Sequence, residues 1–231
     1  IINGKKVVNQ RGLTSTDNSY NKDRWYKAGN NWYQGIEGDN NLISGKIYSL
    51  SWVGVATASY YVGTATSATI NAQSFTAIAN GGNFTLTISA GQNLWIKFLS
   101  DATGSTFNFV QLEEGSVATP FEQRPYGLEL SLCQRYYQRF GGESGGVDFY
   151  FQGYGLGGSF GYVASGQFNV EMSSTPTSSV VGTWHASNCG QPQIGYSTRK
   201  HYEIRALVTS TGTWTVATVN GGTYVAFSAE L

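Results

Sequence analysis

Charge is scarce in this chain. Asp, Glu, Lys and Arg make up 12% of its 231 residues, about half the share of an ordinary soluble domain. The 14 basic and 14 acidic residues cancel, and the densest basic pairs are Lys5-Lys6 and Arg199-Lys200. Duplex nucleic acid is held through clustered Lys and Arg that release counterions, so nucleic acid is excluded as a partner. No apolar run approaches the ~20 residues of a membrane-crossing helix, and membrane insertion is not expected. No signal peptide is visible, and the chain opens on Ile1 without methionine, which leaves room for residues upstream. Cysteine is limited to Cys133 and Cys189, too few and too far apart for a disulfide framework. Buried free thiols are expected, as suits assembly in a reducing cytoplasm. His185 and His201 are the only histidines, and neither has a metal-ligand spacing with Cys or with the other. His185 lies shortly before Cys189, but no nucleophile motif surrounds the pair, which points to a structural role. Helical periodicity is nearly absent, and no internal repeat of 20–50 residues is apparent.

What remains is polar, glycine-rich and aromatic. Polarity comes from Ser, Thr, Asn, Gln and Gly, with 30 glycines and 15 tyrosines. Such a composition suits strands joined by tight turns, and surfaces that bind sugars or pack against identical copies. Short, closely spaced strands predict an all-β chain: a jelly-roll β-sandwich over 1–121, a linker with one short helix over 122–136, and a smaller β-sandwich-like domain over 137–231. In the first module strands are expected at 22–27, 32–37, 46–55, 59–63, 74–78, 83–88, 93–99 and 106–112. In the second they are expected at 136–140, 147–152, 160–164, 167–173, 178–184, 193–196, 201–209, 213–218 and 223–229. Asn80-Gly81-Gly82 and Asn220-Gly221-Gly222 are hairpin signals, because Asn-Gly accommodates positive φ. The helix, 127–136, would carry Leu128, Leu132 and Cys133 on one stripe. The glycines of 141–166 read as flexible loops or close backbone contacts.

Alternation assigns faces. Tyr48, Leu50 and Trp52 share one side, as do Phe84, Leu86 and Ile88, and Leu94, Ile96 and Phe98. Trp25 and Trp52 belong to the core. Trp95 falls opposite the apolar side of its strand, beside Lys97.

Sites for chemistry are weakly signalled. Glycosidases need two acids flanking a sugar-bond cleft. The acids Asp17, Asp23, Glu37, Asp39, Glu113, Glu114, Glu143, Asp148, Glu171 and Glu203 lie mostly in loops or turns, where solvation or local pairing is the ordinary outcome. Gly153-Tyr154-Gly155-Leu156-Gly157-Gly158 precedes neither a helix pattern nor Lys-Ser/Thr, and so is no phosphate cradle. No cofactor is implied. The aromatics remain. Sugar C–H faces stack on Trp and Tyr rings, while amides bond the hydroxyls. Trp32, Tyr33, Tyr61 and Trp95 could together line one concave sheet; alternatively they fill a core or a subunit interface. In the second module Trp184, His185, Asn188, Gln191 and Tyr196 gather near loops. They suit a receptor-binding tip, and a packed loop explains them equally well.

Several motifs recur together in one known group. Asn3-Gly4, Gln10-Arg11-Gly12 and Asp23-Arg24-Trp25-Tyr26 open the chain, and Gly45–Ser51 (GKIYSLS) follows. Val110–Arg124 (VQLEEGSVATPFEQR) is the most specific, followed by Leu132–Tyr137 (LCQRYY), Phe168–Thr177 (FNVEMSSTPT) and the terminal Phe227–Leu231. In this order they resemble tailed-phage virion proteins, chiefly tail fibres and related appendages. The resemblance implies a jelly roll similar to carbohydrate-binding modules, then a small β-domain. It implies a homotrimer on the virion, assembled in the bacterial cytoplasm, whose partners are other virion proteins and host-surface polysaccharide. Adhesion without cleavage is the expected function. A purely structural virion role, as adaptor, collar fibre or capsid decoration, is the alternative, and a depolymerase is a third class. Carbohydrate-binding jelly rolls often carry a structural calcium. Here Gln111 stands where an Asp would ligate, although Glu113 and Glu114 are close, and no metal is assigned.

Overall fold

The computed structural model describes residues 1–6, 8–11, 19–38, 42–99, 107–142, 149–218 and 223–231. Asp17, Asp39, Glu143, Asp148 and the expected Asn220-Gly221-Gly222 hairpin lie outside them. The chain is all-β, with one α-helix among the described residues. It divides into two compact units, Ile1–Cys133 with Leu231, and Gln134–Glu230.

The first unit contains β1 (Ser19–Lys22), β2 (Trp25–Ala28), β3 (Asn31–Glu37), β4 (Ile47–Gly54), β5 (Thr57–Gly63), β6 (Thr76–Ile78), β7 (Asn83–Thr85), β8 (Asn93–Leu99), β9 (Phe107–Glu114) and all but the last residue of the helix α1 (Tyr126–Gln134). A six-stranded antiparallel sheet runs β1-β2-β3-β8-β5-β6, and a three-stranded one runs β7-β4-β9. The alternating apolar residues of both sheets meet in one core: Tyr48, Leu50 and Trp52 from β4, Leu94, Ile96 and Phe98 from β8, with Trp25, Phe84, Leu86 and Phe107. Phe98 and Phe107 stack with centroids 4.4 Å apart.

Two sequence expectations change here. The segment 22–27 is not one strand. Arg24 takes a left-handed φ of 72° and turns β1 back on β2. The Asn80-Gly81 signal makes a turn but no hairpin, since β6 and β7 belong to different sheets. Gly81, at φ 75°, carries the chain across. Asn80 then stands in for a strand partner: its Oδ1 accepts from the Trp52 N–H at 3.0 Å and its Nδ2 donates to the Trp52 carbonyl at 2.8 Å.

In α1 the expected Leu128–Leu132–Cys133 stripe does not form. Cys133 is buried, Leu128 is half exposed, and the second buried residue is Glu129. Its carboxylate accepts the Asn3 backbone N–H and faces Arg124 at 3.4 Å. A paired carboxylate can be buried where a lone one cannot.

The second unit contains β10 (Tyr137–Gly141), β11 (Tyr150–Gly155), β12 (Phe160–Gln167), β13 (Thr177–Val181), β14 (Trp184–Ser187), β15 (Gln193–Ser197), β16 (His201–Leu207), β17 (Gly212–Thr218) and β18 (Tyr224–Ser228). They form three antiparallel three-stranded sheets, β10-β18-β13, β11-β17-β14 and β12-β16-β15. The last three strands therefore occupy the centre of one sheet each. All three sheets send side chains into one core, including Val163, Ile204, Trp184, Trp214, Val216, Val225 and Phe227. Trp214 fits because two glycines face it: a Cβ on Gly153 or Gly161 would stand 2.7 or 2.6 Å from its indole. The expected strand 178–184 breaks at Gly182, φ 82°, and its halves enter different sheets. The expected strand 167–173 is irregular beyond Gln167, held by Phe168 and Met172 N–H bonds to the Lys200 and Arg199 carbonyls.

Candidate binding surface

The four aromatics expected to line an open sheet in the first unit do not do so. Trp95 is fully buried, and Trp32 and Tyr33 are 5% and 1% exposed. Trp32 belongs to the core between the sheets. Trp95 and Tyr33 do lie on the opposite face of the six-stranded sheet, but that face is covered. The connection after β5, with a 3-10 turn at Ile70–Ala72, lays Ala65 and Ile70 over Trp95, Tyr33, Tyr26 and Ala28, and Tyr61 and Phe75 pack at its margin. Trp95 Nε1 donates to the Ala65 carbonyl at 3.0 Å, and the Tyr33 hydroxyl donates to Asn71 Oδ1 at 2.6 Å. Burial pushes the Tyr33 phenol up to about 12, helped by the neighbouring Tyr26 and opposed by a bond to Asn31. Alternation places Trp95 on the correct face, but that face is no ligand surface, and Trp32 lies on the other side of the sheet from Tyr33 and Trp95.

The motifs that carry the family resemblance build structure. Asn3, fully buried at φ 55°, donates through Nδ2 to the Val8 and Asp23 carbonyls and accepts the Val8 N–H, while its carbonyl accepts from Trp25 Nε1 at 2.9 Å. The Asp23 carboxylate accepts from the Gln10 N–H and Nε2 and meets Arg11 at 3.4 Å. Further on, β9 holds the segment after it by a side-chain clasp. Glu113 accepts the Thr119 N–H at 2.6 Å and its hydroxyl at 2.7 Å, and Gln111 donates to Thr119 Oγ1 and accepts the Glu122 N–H at 2.8 Å. Desolvation is the largest single influence and pushes the Glu113 carboxyl up, but the bonds from Thr119 and Gln111 together outweigh it and hold the group below its ordinary value. A hollow of about 140 Å³ lies along this clasp, lined by Gln111, Glu113, Glu122, Arg124 and Glu129 among others. Two of its three glutamates are thus already engaged by the chain itself. Elsewhere Glu114 pairs with Lys46 at 3.0 Å, and Glu171 with Arg199 at 3.0 Å. Among the described residues no group of three or more His, Cys, Asp or Glu could hold a metal ion. Both cysteines are buried thiols.

Comparison with protein-family models, with curated proteins and with solved structures finds no match.

In the second unit Trp184 is buried, packed near Phe149, and so is no ligand platform. His185 and Tyr196 are exposed, the latter at 53%. They point outward from different sheets, since β14 pairs with β17 and β15 with β16. Asn188 is a loop pin: its Nδ2 donates to the Ser210 and Thr213 carbonyls. Gln191 exchanges bonds with the Trp184 backbone.

His185 gains company that the sequence reading did not give it. β11 alternates outward Tyr150, Gln152 and Tyr154 with inward Phe151 and glycines. Tyr150 is 59% and Tyr154 74% exposed. The register sets three rows across the sheet: Tyr150–Ala217–His185, Gln152–Thr215–Ser187, and Tyr154–Thr213. The period of two in Tyr-Phe-Gln-Gly-Tyr-Gly was the available signal; the strand expected at 147–152 covers its first half, and the glycines after Gln152 read as loop. The resulting face combines two aromatic platforms, one amide, an imidazole and hydroxyls.

Proposed function

We propose that this chain is a virion surface protein of tail-fibre type that adheres to host-cell glycan without cleaving it. The observation that carries this reading is the outer face of β11-β17-β14, where exposed tyrosines are interleaved with amide and hydroxyl groups. Rings of this kind supply rigid contact area at low entropic cost, and the polar groups adapt to hydroxyls. The motif resemblance to phage appendages supports the virion setting. Binding at a flat face is weak at each copy, and a homotrimer would convert that weakness into avidity.

The test is a surface-polysaccharide array probed with the intact chain and with Tyr154→Ala, alongside light scattering for the oligomer. Retention on host polysaccharide, reduced by the substitution, is expected. A correctly assembled oligomer that binds no polysaccharide would instead make the chain a structural component such as an adaptor or decoration. Release of new reducing ends would make it a depolymerase.

A further inference from the structure

We infer that the ligand of this face is an uncharged glycan that lies lengthwise along β11 and is gripped at an internal stretch. The inference rests on the adhesion reading above and narrows it to a chemical class. None of the three strands concerned, YFQGYG, WHAS and GTWTVAT, contains Asp, Glu, Lys or Arg. The other two sheets of the unit do: β16 carries Glu203 and Arg205, and β10 carries Arg139. The one basic side chain on this face is the His185 imidazole, and without Lys or Arg a glycan with carboxylates or phosphates would be desolvated there with little compensating charge, at a cost in affinity. A neutral one loses nothing by the absence of charge.

Length follows from strand geometry. Tyr150 and Tyr154 are four residues apart on one face, hence about 13 Å along the strand. One pyranose ring cannot touch both, so two stacking subsites are filled only by a run of several sugars. Gln152 sits between them, and the Tyr150 hydroxyl donates to its Oε1 at 3.0 Å. That bond occupies the amide oxygen and leaves the N–H groups as the donors Gln152 can offer a ligand. Thr215 and Ser187 continue the middle row and supply hydroxyls beside the bound chain. β11 is an edge strand, and its tyrosine row is open to solvent, so the face grips a length of polymer without reading its end.

The experiment has two stages. Purified neutral and acidic bacterial polysaccharides are arrayed, and the tightest binder is cut into a ladder from disaccharide upward for titration calorimetry. Neutral polymers are expected to bind best, with little change between low and high salt. Affinity should climb about tenfold or more from the disaccharide to the length that reaches both rings and then level off. Tyr150→Ala and Tyr154→Ala should each weaken the long oligomer about fivefold while leaving the disaccharide within about twofold. A preference for acidic polymers with steep salt dependence, a disaccharide as tight as the long oligomer, or variants that bind the long oligomer like the parent would each overturn the inference and leave adhesion standing. Absence of binding to every polymer would overturn the adhesion reading itself.

Discussion

At the scale of single residues, Trp95 shows why alternation is necessary but insufficient for finding a site. Its side chain leaves the face of β8 opposite Leu94, Ile96 and Phe98, as the period of two requires. It ends with no exposed surface because Ala65 and Ile70 cover it. Trp95→Ala should therefore cost about 3–5 kcal/mol of stability, the range for deleting a large core aromatic, read as a shift in the urea midpoint. A melting curve unchanged by the substitution would contradict the covered face. Tyr33 gives the same face a pH signature. The folded phenol keeps its proton to about 12, whereas the unfolded one releases it near 10.0. The folded state binds more protons within that window, so stability falls as pH rises from 10 toward 12. Tyr33→Phe should flatten that slope in pH-dependent urea titrations, and an unchanged slope would remove Tyr33 as its source.

At the scale of elements, the clasp after β9 has a measurable electrostatic edge. Glu113 titrates below its ordinary 4.5 when folded. The unfolded carboxyl takes up its proton first as pH drops, so the clasp's contribution is complete above 4.5 and disappears as pH falls through the lower, folded value. Glu113→Gln should leave a first unit whose stability changes less over that acidic window. Equal acid slopes for parent and variant would show that the carboxylate is not held by Thr119. The elements themselves were largely legible. β4, β8 and the apolar side of 83–88 follow from strict alternation, and β3, β5 and β9 from runs of β-branched and aromatic residues between turn signals. What was not legible is where a segment goes after it leaves its strand. Asn80-Gly81 encodes a turn, but whether the next strand pairs back or crosses to another sheet depends on partners far away in sequence. The covering of Trp95 by residues 64–75 is non-local for the same reason. Glu129 reads as a solvent-facing residue of α1 until Asn3, remote in sequence, supplies its donor. On β11 the difficulty was reversed: the pattern is local and its first half falls in the strand expected at 147–152, but Gly153, which makes room for Trp214, and Gly155 disguise the rest as a loop.

At the scale of the whole molecule, the second unit is built, apart from the neighbouring pair β15 and β16, from pairings between distant segments. β10, β11 and β12 are laid down first, β13, β14 and β15 follow, and β18, β17 and β16 then fill the middles. No outer strand pairs with another outer strand within a sheet, so the sheets stand or fall with their centres. Phe227, fully buried on β18, should be a keystone. Phe227→Ala is expected to cost about 3–5 kcal/mol and to speed amide hydrogen exchange in β16, β17 and β18 together. Faster exchange confined to β18 would show that the three sheets open independently.

That central placement has a consequence for synthesis in the cell. A ribosome making this chain delivers six flanking segments, edges bare, before any of the strands that will hold them. The sheet β12-β16-β15 can close once Leu207 is out and β11-β17-β14 once Thr218 is, but β10 and β13 must wait unpaired until Ser228 has cleared the exit tunnel. The unit's vulnerable interval is thus set by translation speed, and slower decoding of the codons for 201–228 would lengthen exposure to chaperones, proteases and neighbouring nascent copies.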